Sequence, residues 1–201
     1  MEKSLKEVQS RKEFIEMRSS SKLTVDLRYA TKNNFMRKNV YGVFNKAYLH
    51  ENAALKLSQA IAYLNQSKPG YKLIIFDALR PRSAQYKLWE HVVGTEQEKY
   101  VANPVSGSMH NYGFALDLSV LDEQGLELDM GTVFDAFTEL SQPQLETQFL
   151  KQGLISQKHV DNRLILREAM TQAGFIQLPH EWWHFDALPK SDVKKLYKIV
   201  E

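Results

Sequence analysis

The chain has 201 residues, of which 43% are hydrophobic, 11% aromatic and 25% charged. These proportions are typical of a globular protein with one sizeable core and exclude a disordered or collagen-like chain. The length predicts a single domain over residues 1–201. Lys and Arg together number 26 against 24 Asp and Glu, a formal net charge of +2, so we expect no nucleic-acid partner.

The sequence contains no cysteine, which excludes disulfides, thiolate catalysis and cysteine-ligated metal centres. Any metal therefore needs His, Asp or Glu ligands. The charged N-terminus lacks the apolar run of a signal peptide, and no segment approaches the ~18 apolar residues of a membrane span. We expect a cytoplasmic protein without membrane contact, whereas a leader removed by cleavage would place it in the periplasm. No motif indicates an oligomeric state.

The sequence of the first half of the chain indicates few regular elements. Residues 3–18 indicate a short surface element of undetermined type, and residues 24–31 a short strand that runs into an Asn-rich loop. An extended or irregular segment follows over 41–48. Apolar residues at helical spacing predict a helix over Glu51–Gln66, which the Lys68-Pro69-Gly70 sequence ends.

The middle of the chain predicts a buried strand, a helix and a long loop. The continuous apolar run over 72–76 is typical of a strand buried on both faces. Ser83 is the predicted N-cap of a helix that ends near Gly94. Residues 95–113 are polar and rich in Gly, Pro and Ser, and loops of this length in compact domains are usually functional or disordered.

Strict alternation over 114–121 predicts another strand, and the Asp122–Gly125 turn predicts a hairpin with 126–128. A second helix is predicted over 156–173, with Gly174 at its C-terminal cap. Closing strands are expected near 175–178 and 182–185. This order of elements predicts an α+β fold with a central antiparallel sheet and flanking helices.

Asp117 lies on an otherwise apolar strand, where a buried carboxylate needs a partner. His110 lies a few residues before it. The spacing fits metal ligation and a strand end salt-bridged to an arginine equally well.

Glu181 and His184 are separated by two tryptophans. In a regular strand their side chains would lie on opposite faces, so their convergence requires a bend or bulge. His110, Asp117 and His184 would make three ligands and leave the fourth zinc position to water, with Glu181 as the carboxylate that accepts the water proton. Alternatively, the tryptophans are core residues and Glu181 merely pairs with His184. The spacing alone leaves both interpretations open.

Two motifs carry a family resemblance: Ser108-x-His110-x-x-Gly113-x-Ala115-x-Asp117 and Glu181-x-Trp183-His184. Together they resemble the signature of the zinc D-Ala-D-Ala peptidases, in the fold group that also contains the D,D-carboxypeptidases and the Hedgehog signalling domain. Segments at 27–35, 77–81 and 130–135 resemble the dipeptidase branch in order, so the resemblance covers about residues 24–186. It implies a Hedgehog/D,D-peptidase-like fold and one zinc ion per active site, bound by His110, Asp117 and His184.

The resemblance also implies catalytic roles. Glu181 matches the residue that moves the proton of the attacking water. Arg80 matches the arginine that stabilises the negative charge on the scissile carbonyl oxygen. Alternatively, Arg80 pairs with Asp77 at the start of a helix.

Three further residues match positions that contact substrate in this family. Asp135 matches the carboxylate that binds the free ammonium group of the dipeptide, although a helix N-terminal charge explains an aspartate there equally well. Ser108 and Tyr29 match residues that line the substrate cavity. Met109, Asn111 and Tyr112 depart from the family pattern and leave the recognition of the substrate carboxylate open.

The function implied is zinc-dependent hydrolysis of the D-Ala-D-Ala dipeptide, a small-molecule substrate, in peptidoglycan precursor or wall-fragment metabolism. One alternative is a zinc D,D-carboxypeptidase acting on longer stem peptides, which needs an open cleft. Another is a non-catalytic binding module stabilised by zinc. Glu181 and Arg80 count against this module, because a structural zinc site needs neither a proton acceptor nor an oxyanion donor.

Overall fold

A computed structural model describes all 201 residues of the chain. Six α-helices and seven β-strands are joined by turns and short 3₁₀ segments. The helices are α1 (Glu2–Ser10), α2 (Glu51–Ser67), α3 (Arg82–Val92), α4 (Glu146–Lys151), α5 (Gln157–Gln172) and α6 (Lys190–Leu196). The strands are β1 (Phe14–Met17), β2 (Leu23–Val25), β3 (Ala47–His50), β4 (Lys72–Asp77), β5 (Ala115–Leu121), β6 (Ile176–Gln177) and β7 (His184–Asp186).

The main sheet has five strands in the order β2-β4-β5-β7-β6. The β4–β5, β5–β7 and β7–β6 pairs are antiparallel, whereas β2 runs parallel to β4 at one edge. Strands β1 and β3 form a separate antiparallel pair. The predicted α+β fold is confirmed, and the sheet is mostly antiparallel, with one parallel pair that the sequence did not indicate.

Strands β4 and β5 form the centre of the molecule and are buried along almost their whole length. Helix α2 contacts β4, α5 contacts β5, and the two helices pack against each other. Residues 73–76 of β4 are all buried and apolar, as expected of a strand buried on both faces, which has no polar side.

The two long helices lie where the apolar periodicity predicts them. Ser156 caps α5 by accepting a hydrogen bond from the backbone N–H of His159, and the His159 ring accepts one from the backbone N–H of Ser156. Gly174 follows the helix with φ +79°, a left-handed conformation that glycine adopts without strain. None of the helices is long and apolar enough to cross a membrane.

Helix α3 begins earlier than predicted, and the prediction of Ser83 as its N-cap is wrong. Pro81 is the N-cap, and its carbonyl accepts the backbone N–H groups of Ala84 and Gln85. The fixed φ of proline suits this position because a cap residue has an extended backbone and needs no donor. The expected hairpin after β5 is reduced to one bridge, between Leu121 and Glu127.

Replacing Ser156 with alanine removes the cap of α5, and we expect the free energy of unfolding to fall by about 0.5–2 kcal/mol. In a chain of this size the melting temperature should fall by roughly 2–4 °C per kcal/mol. A thermal unfolding experiment measures both the melting temperature and the free energy of unfolding. The matched control is Ser58→Ala at an exposed position of α2, where we expect a change within about 0.5 kcal/mol. Equal melting temperatures for the two variants would show that the cap does not stabilise α5.

Candidate metal centre and active site

Two neighbouring strands and one turn bring together a group of three possible metal ligands. The β5–β7 register places Asp117 directly opposite His184. His110 lies in the 3₁₀ turn Met109–Tyr112, and two residues separate the end of this turn from the start of β5. All three side chains are buried, and their ligand atoms lie within 4.8 Å of one another.

The separations of these atoms fit a tetrahedral site. Nδ1 of His184 lies 3.0 Å from Oδ1 of Asp117, Nε2 of His110 lies 3.3 Å from the same oxygen, and the two nitrogens are 3.2 Å apart. Ligand atoms about 2.0–2.1 Å from a tetrahedral zinc ion are separated by roughly 3.3–3.4 Å. Two imidazoles and one carboxylate are also a donor set that zinc accepts, so the group can hold a metal ion.

Neighbouring acceptors fix which nitrogen of each imidazole faces the centre. Nδ1 of His110 lies 2.7 Å from the carbonyl oxygen of Ala78, and Nε2 of His184 lies 2.9 Å from Oδ1 of Asp186. Such contacts hold the rings of metal-binding histidines in place. Although burial alone would raise the pKa of Asp117, the two imidazoles outweigh it and hold this pKa well below its usual range.

Glu181 lies beside the three ligands without being one of them. Its Oε2 is 3.8 Å from Nδ1 of His184, too far for a hydrogen bond. Burial raises the pKa of Glu181 to about 7, against the opposing effect of the His184 imidazole. The two side chains converge because β7 begins only at His184 and a turn precedes it, so the alternation of a strand does not apply to Glu181.

Trp182 and Trp183 are both core residues, and Trp183 also lines the cavity beside the candidate site. Their ring centroids are 5.3 Å apart. Nε1 of Trp182 donates to Oγ1 of Thr132 at 2.8 Å.

Arg80 follows β4 and is held against two buried carboxylates. Its Nε donates to Oδ2 of Asp77 at 2.8 Å, and its Nη2 lies 2.7 Å from the same oxygen and 3.5 Å from Oδ2 of Asp117. Burial opposes the charged guanidinium, but Asp77, Tyr29, Tyr41 and Asp117 together outweigh burial and hold the pKa of Arg80 well above its usual value. The pairing with Asp77 is therefore present, and it orients Arg80 towards the ligand group.

Asp135 lies in a turn, and no helix begins there, so the helix-charge interpretation does not apply. Its φ of +59° is left-handed, a conformation that in non-glycine residues often marks a functional site. The Tyr29 hydroxyl donates to Oδ2 of Asp135 at 2.7 Å. Burial raises the pKa of Asp135 well above its usual value, and the charge of Asp117 adds to this effect.

A single cavity of about 500 Å³ contains all the site residues that the sequence suggested. They are Tyr29, Arg80, Ser108, His110, Asp117, Asp135, Glu181 and His184. The remaining wall comes partly from residues 99–102, within the long loop predicted over 95–113, and from Phe35 and Phe137. The structure thus places these side chains together, while their individual roles stay predictions.

Asn111, one of the departures from the family pattern, bonds to the backbone of two residues that line the cavity, Ser108 and Arg80. Its Oδ1 accepts the backbone N–H of Ser108 at 2.7 Å, and its Nδ2 donates to the carbonyl oxygen of Arg80 at 2.8 Å. It is completely buried. The motif pattern could not show this role, because the role depends on a contact across 31 residues of chain.

The α+β fold and the buried His–Asp–His group define a candidate metallohydrolase. A sequence model described as "D-ala-D-ala dipeptidase" matches residues 13–199, and the chain belongs to this peptidase family.

Curated relatives are named D-alanyl-D-alanine dipeptidase. The protein from Escherichia coli is 35% identical over 169 residues, which cover 84% of this chain and 80% of the relative. The protein from Enterococcus faecalis is 30% identical, with 80% and 83% covered. The protein from Synechocystis is 28% identical, with 65% of each chain covered. The family resemblance seen in the motifs is confirmed.

Replacing His184 with alanine should remove most of the bound metal, because one of three ligands is lost and metal affinity depends on the complete set. Metal content of protein purified without chelator measures this loss. The control is His91→Ala, at an exposed position of α3, which should keep the wild-type metal content. Wild-type stoichiometry in His184→Ala would contradict the predicted ligand set.

Proposed function

We propose that this protein hydrolyses the dipeptide D-Ala-D-Ala to two molecules of D-alanine, with one zinc ion held by His110, Asp117 and His184. The observation that carries the proposal is the arrangement of the cavity. A three-ligand group, a carboxylate that is not a ligand, a fixed arginine and a buried aspartate all line one cavity. The names of the curated relatives agree with this activity.

The donor set supports zinc as the metal. It consists of two imidazole nitrogens and one carboxylate oxygen, and three protein ligands are typical of catalytic zinc sites. Zinc bound there would act as a Lewis acid towards water and the peptide carbonyl, and would lower the pKa of a bound water to about 7.

Glu181 is the proposed general base and then the general acid. Its pKa of about 7 lets it accept and release a proton near neutral pH. It takes a proton from the attacking water as the oxygen bonds to the carbonyl carbon. The proton then passes to the amine nitrogen as the C–N bond breaks, which leaves one free amine and one free carboxylate.

Arg80 stabilises the negative charge that develops on the carbonyl oxygen. The guanidinium stays ionised beside Asp77, and its position is set before substrate binds. A preorganised charged donor in a cavity shielded from water stabilises a transition state more than a mobile one does.

Asp135 is proposed to bind the free ammonium group of the substrate, with Tyr29 holding the carboxylate in place. Burial raises the pKa of Asp135, and a buried carboxylate is stabilised by a cation beside it. The substrate ammonium group would supply that cation. This contact favours a dipeptidase, because a longer stem peptide has an amide at that position.

Replacing Glu181 with glutamine should lower kcat for D-Ala-D-Ala by about 10²–10⁴-fold, the usual contribution of general acid–base catalysis. The metal content should be unchanged, since Glu181 is not a ligand. Steady-state kinetics and metal analysis of the same preparation test both points. The matched control is Glu139→Gln, at an exposed position, which should leave kcat within about twofold. A loss of only a few fold in Glu181→Gln would refute the assignment.

Acetylation of the substrate amine should reduce kcat/KM by more than loss of a single hydrogen bond would, because it removes a charge and adds bulk at Asp135. Rates for D-Ala-D-Ala and N-acetyl-D-Ala-D-Ala measure this preference, and Asp135→Asn should weaken it. Equal rates on the two substrates would favour the D,D-carboxypeptidase alternative. An unchanged preference in Asp135→Asn would contradict the role of Asp135 alone.

A further inference from the structure

Gln85 is a completely buried polar residue on α3. The other buried positions of this helix are Ala84, Leu88 and Val92, all apolar. A buried side-chain amide is unfavourable unless its oxygen and its N–H groups find partners. Gln85 therefore needs a specific reason to be present in an otherwise apolar face.

Both ends of the Gln85 amide are hydrogen-bonded. Its Oε1 accepts a hydrogen bond from Nη1 of Arg80 at 2.9 Å, and its Nε2 donates to the carbonyl oxygen of Ala102 at 2.8 Å. The partners determine the orientation of the amide, because the flipped amide would place N–H groups against the guanidinium and an oxygen against a carbonyl.

The contact with Asp77 alone does not fix the Arg80 guanidinium. Nε and Nη2 both lie against the single oxygen Oδ2, while Oδ1 accepts a hydrogen bond from the Tyr41 hydroxyl. The contact of Nη2 with Oδ2 of Asp117 is longer, at 3.5 Å, so the close contacts of the guanidinium with carboxylates all lie on one edge of its plane and leave the opposite edge unheld. Gln85 holds Nη1 on that opposite edge and so supplies the second point of contact.

This anchoring still leaves donors free for a substrate. Of the five N–H groups of a guanidinium, one on Nε is donated to Asp77 and one on Nη1 to Gln85. The others are on Nη1 and on Nη2, and Nη2 lies 2.7 Å from Oδ2 of Asp77 and 3.5 Å from Oδ2 of Asp117. The Ala102 carbonyl belongs to the 99–102 wall of the cavity, so Gln85 also ties Arg80 to that wall.

We infer that Gln85 is a positioning residue that fixes the direction of the Arg80 guanidinium towards the reacting carbonyl. The inference rests on the proposed function, in which Arg80 stabilises a charge present mainly in the transition state. Loss of the anchor should therefore lower kcat and leave KM nearly unchanged.

Two substitutions separate the two hydrogen bonds of Gln85. Gln85→Met keeps the length of the side chain and removes both hydrogen bonds, to Arg80 and to Ala102. Gln85→Glu keeps an acceptor for Arg80 and removes the donor to Ala102. We expect kcat of Gln85→Met to fall by about 10–100-fold, the scale of a small misplacement of a catalytic group. Gln85→Glu should stay within about fivefold of wild type, since it keeps the acceptor on which we expect the rate to depend.

The matched control is Gln66→Met, at an exposed position of α2, which should leave kcat unchanged. Thermal unfolding and metal content verify that each variant is folded and loaded. If Gln85→Met does not fold, Gln85→Asn replaces it, because asparagine is one methylene shorter and cannot span both partners. Equal losses in Gln85→Met and Gln85→Glu would assign the effect to the Ala102 contact and overturn the inference.

The Arg80→Lys background provides a second test. If Gln85 acts through Arg80, Gln85→Met should add less than about twofold to the defect of Arg80→Lys, since coupled residues are not additive. An unchanged, multiplicative loss would overturn the inference.

Arginine side-chain NMR reports the position of the guanidinium without any substrate. In wild type, Nη1 and Nη2 of Arg80 should give separate resonances, and in Gln85→Met these should exchange faster and broaden or merge. Unchanged resonances would overturn the inference. If wild type does not cleave D-Ala-D-Ala but the NMR result is as expected, the proposed function fails and the positioning role stands.

Discussion

The site depends on the register of three neighbouring strands. Pairing across β4, β5 and β7 sets Asp77 beside Asp117, and Asp117 beside His184. Two buried carboxylates on adjacent strands repel each other and lose the stabilisation of water. The fold is compatible with this pair only because Arg80 lies between them and the imidazoles of His110 and His184 face Asp117. The structural and the chemical roles of these side chains are therefore inseparable.

The charges around this pair explain why the cavity suits a metal and an amine. Asp77 and Asp117 have Arg80 and two imidazoles as partners. Asp135 accepts a hydrogen bond from a neutral hydroxyl, and Glu181 has only the His184 imidazole nearby, at 3.8 Å. Burial raises the pKa of each of these two carboxyls. A divalent cation at the ligand group and an ammonium group at Asp135 would supply the missing positive charge. This balance connects the family membership of the chain to the proposed chemistry, since a binding module would need neither a base at Glu181 nor a fixed guanidinium.

Local patterns predict the long elements of the fold and miss the features that depend on distant contacts. Helix α2, helix α5 and strand β5 follow from periodicity and from end signals such as Gly174. The short helices α4 and α6 have too few residues for a clear periodicity, and Pro81 takes the cap position expected for Ser83. Spacing could not decide whether Glu181 meets His184, because the answer depends on where β7 begins. The family motifs supplied the candidate ligands. The contact of Gln85 with Ala102 and that of Asn111 with Arg80 cross 17 and 31 residues of chain and have no local signature.

The central claim is that His110, Asp117 and His184 hold one metal ion with Glu181 beside it. Anomalous diffraction from crystals of the zinc-loaded protein, recorded on both sides of the zinc absorption edge, tests this claim most directly. The account predicts one peak about 2.0–2.2 Å from Nε2 of His110, Nδ1 of His184 and a carboxylate oxygen of Asp117, with Glu181 outside bonding distance. A peak elsewhere in the molecule, or one bonded to Glu181, would contradict it.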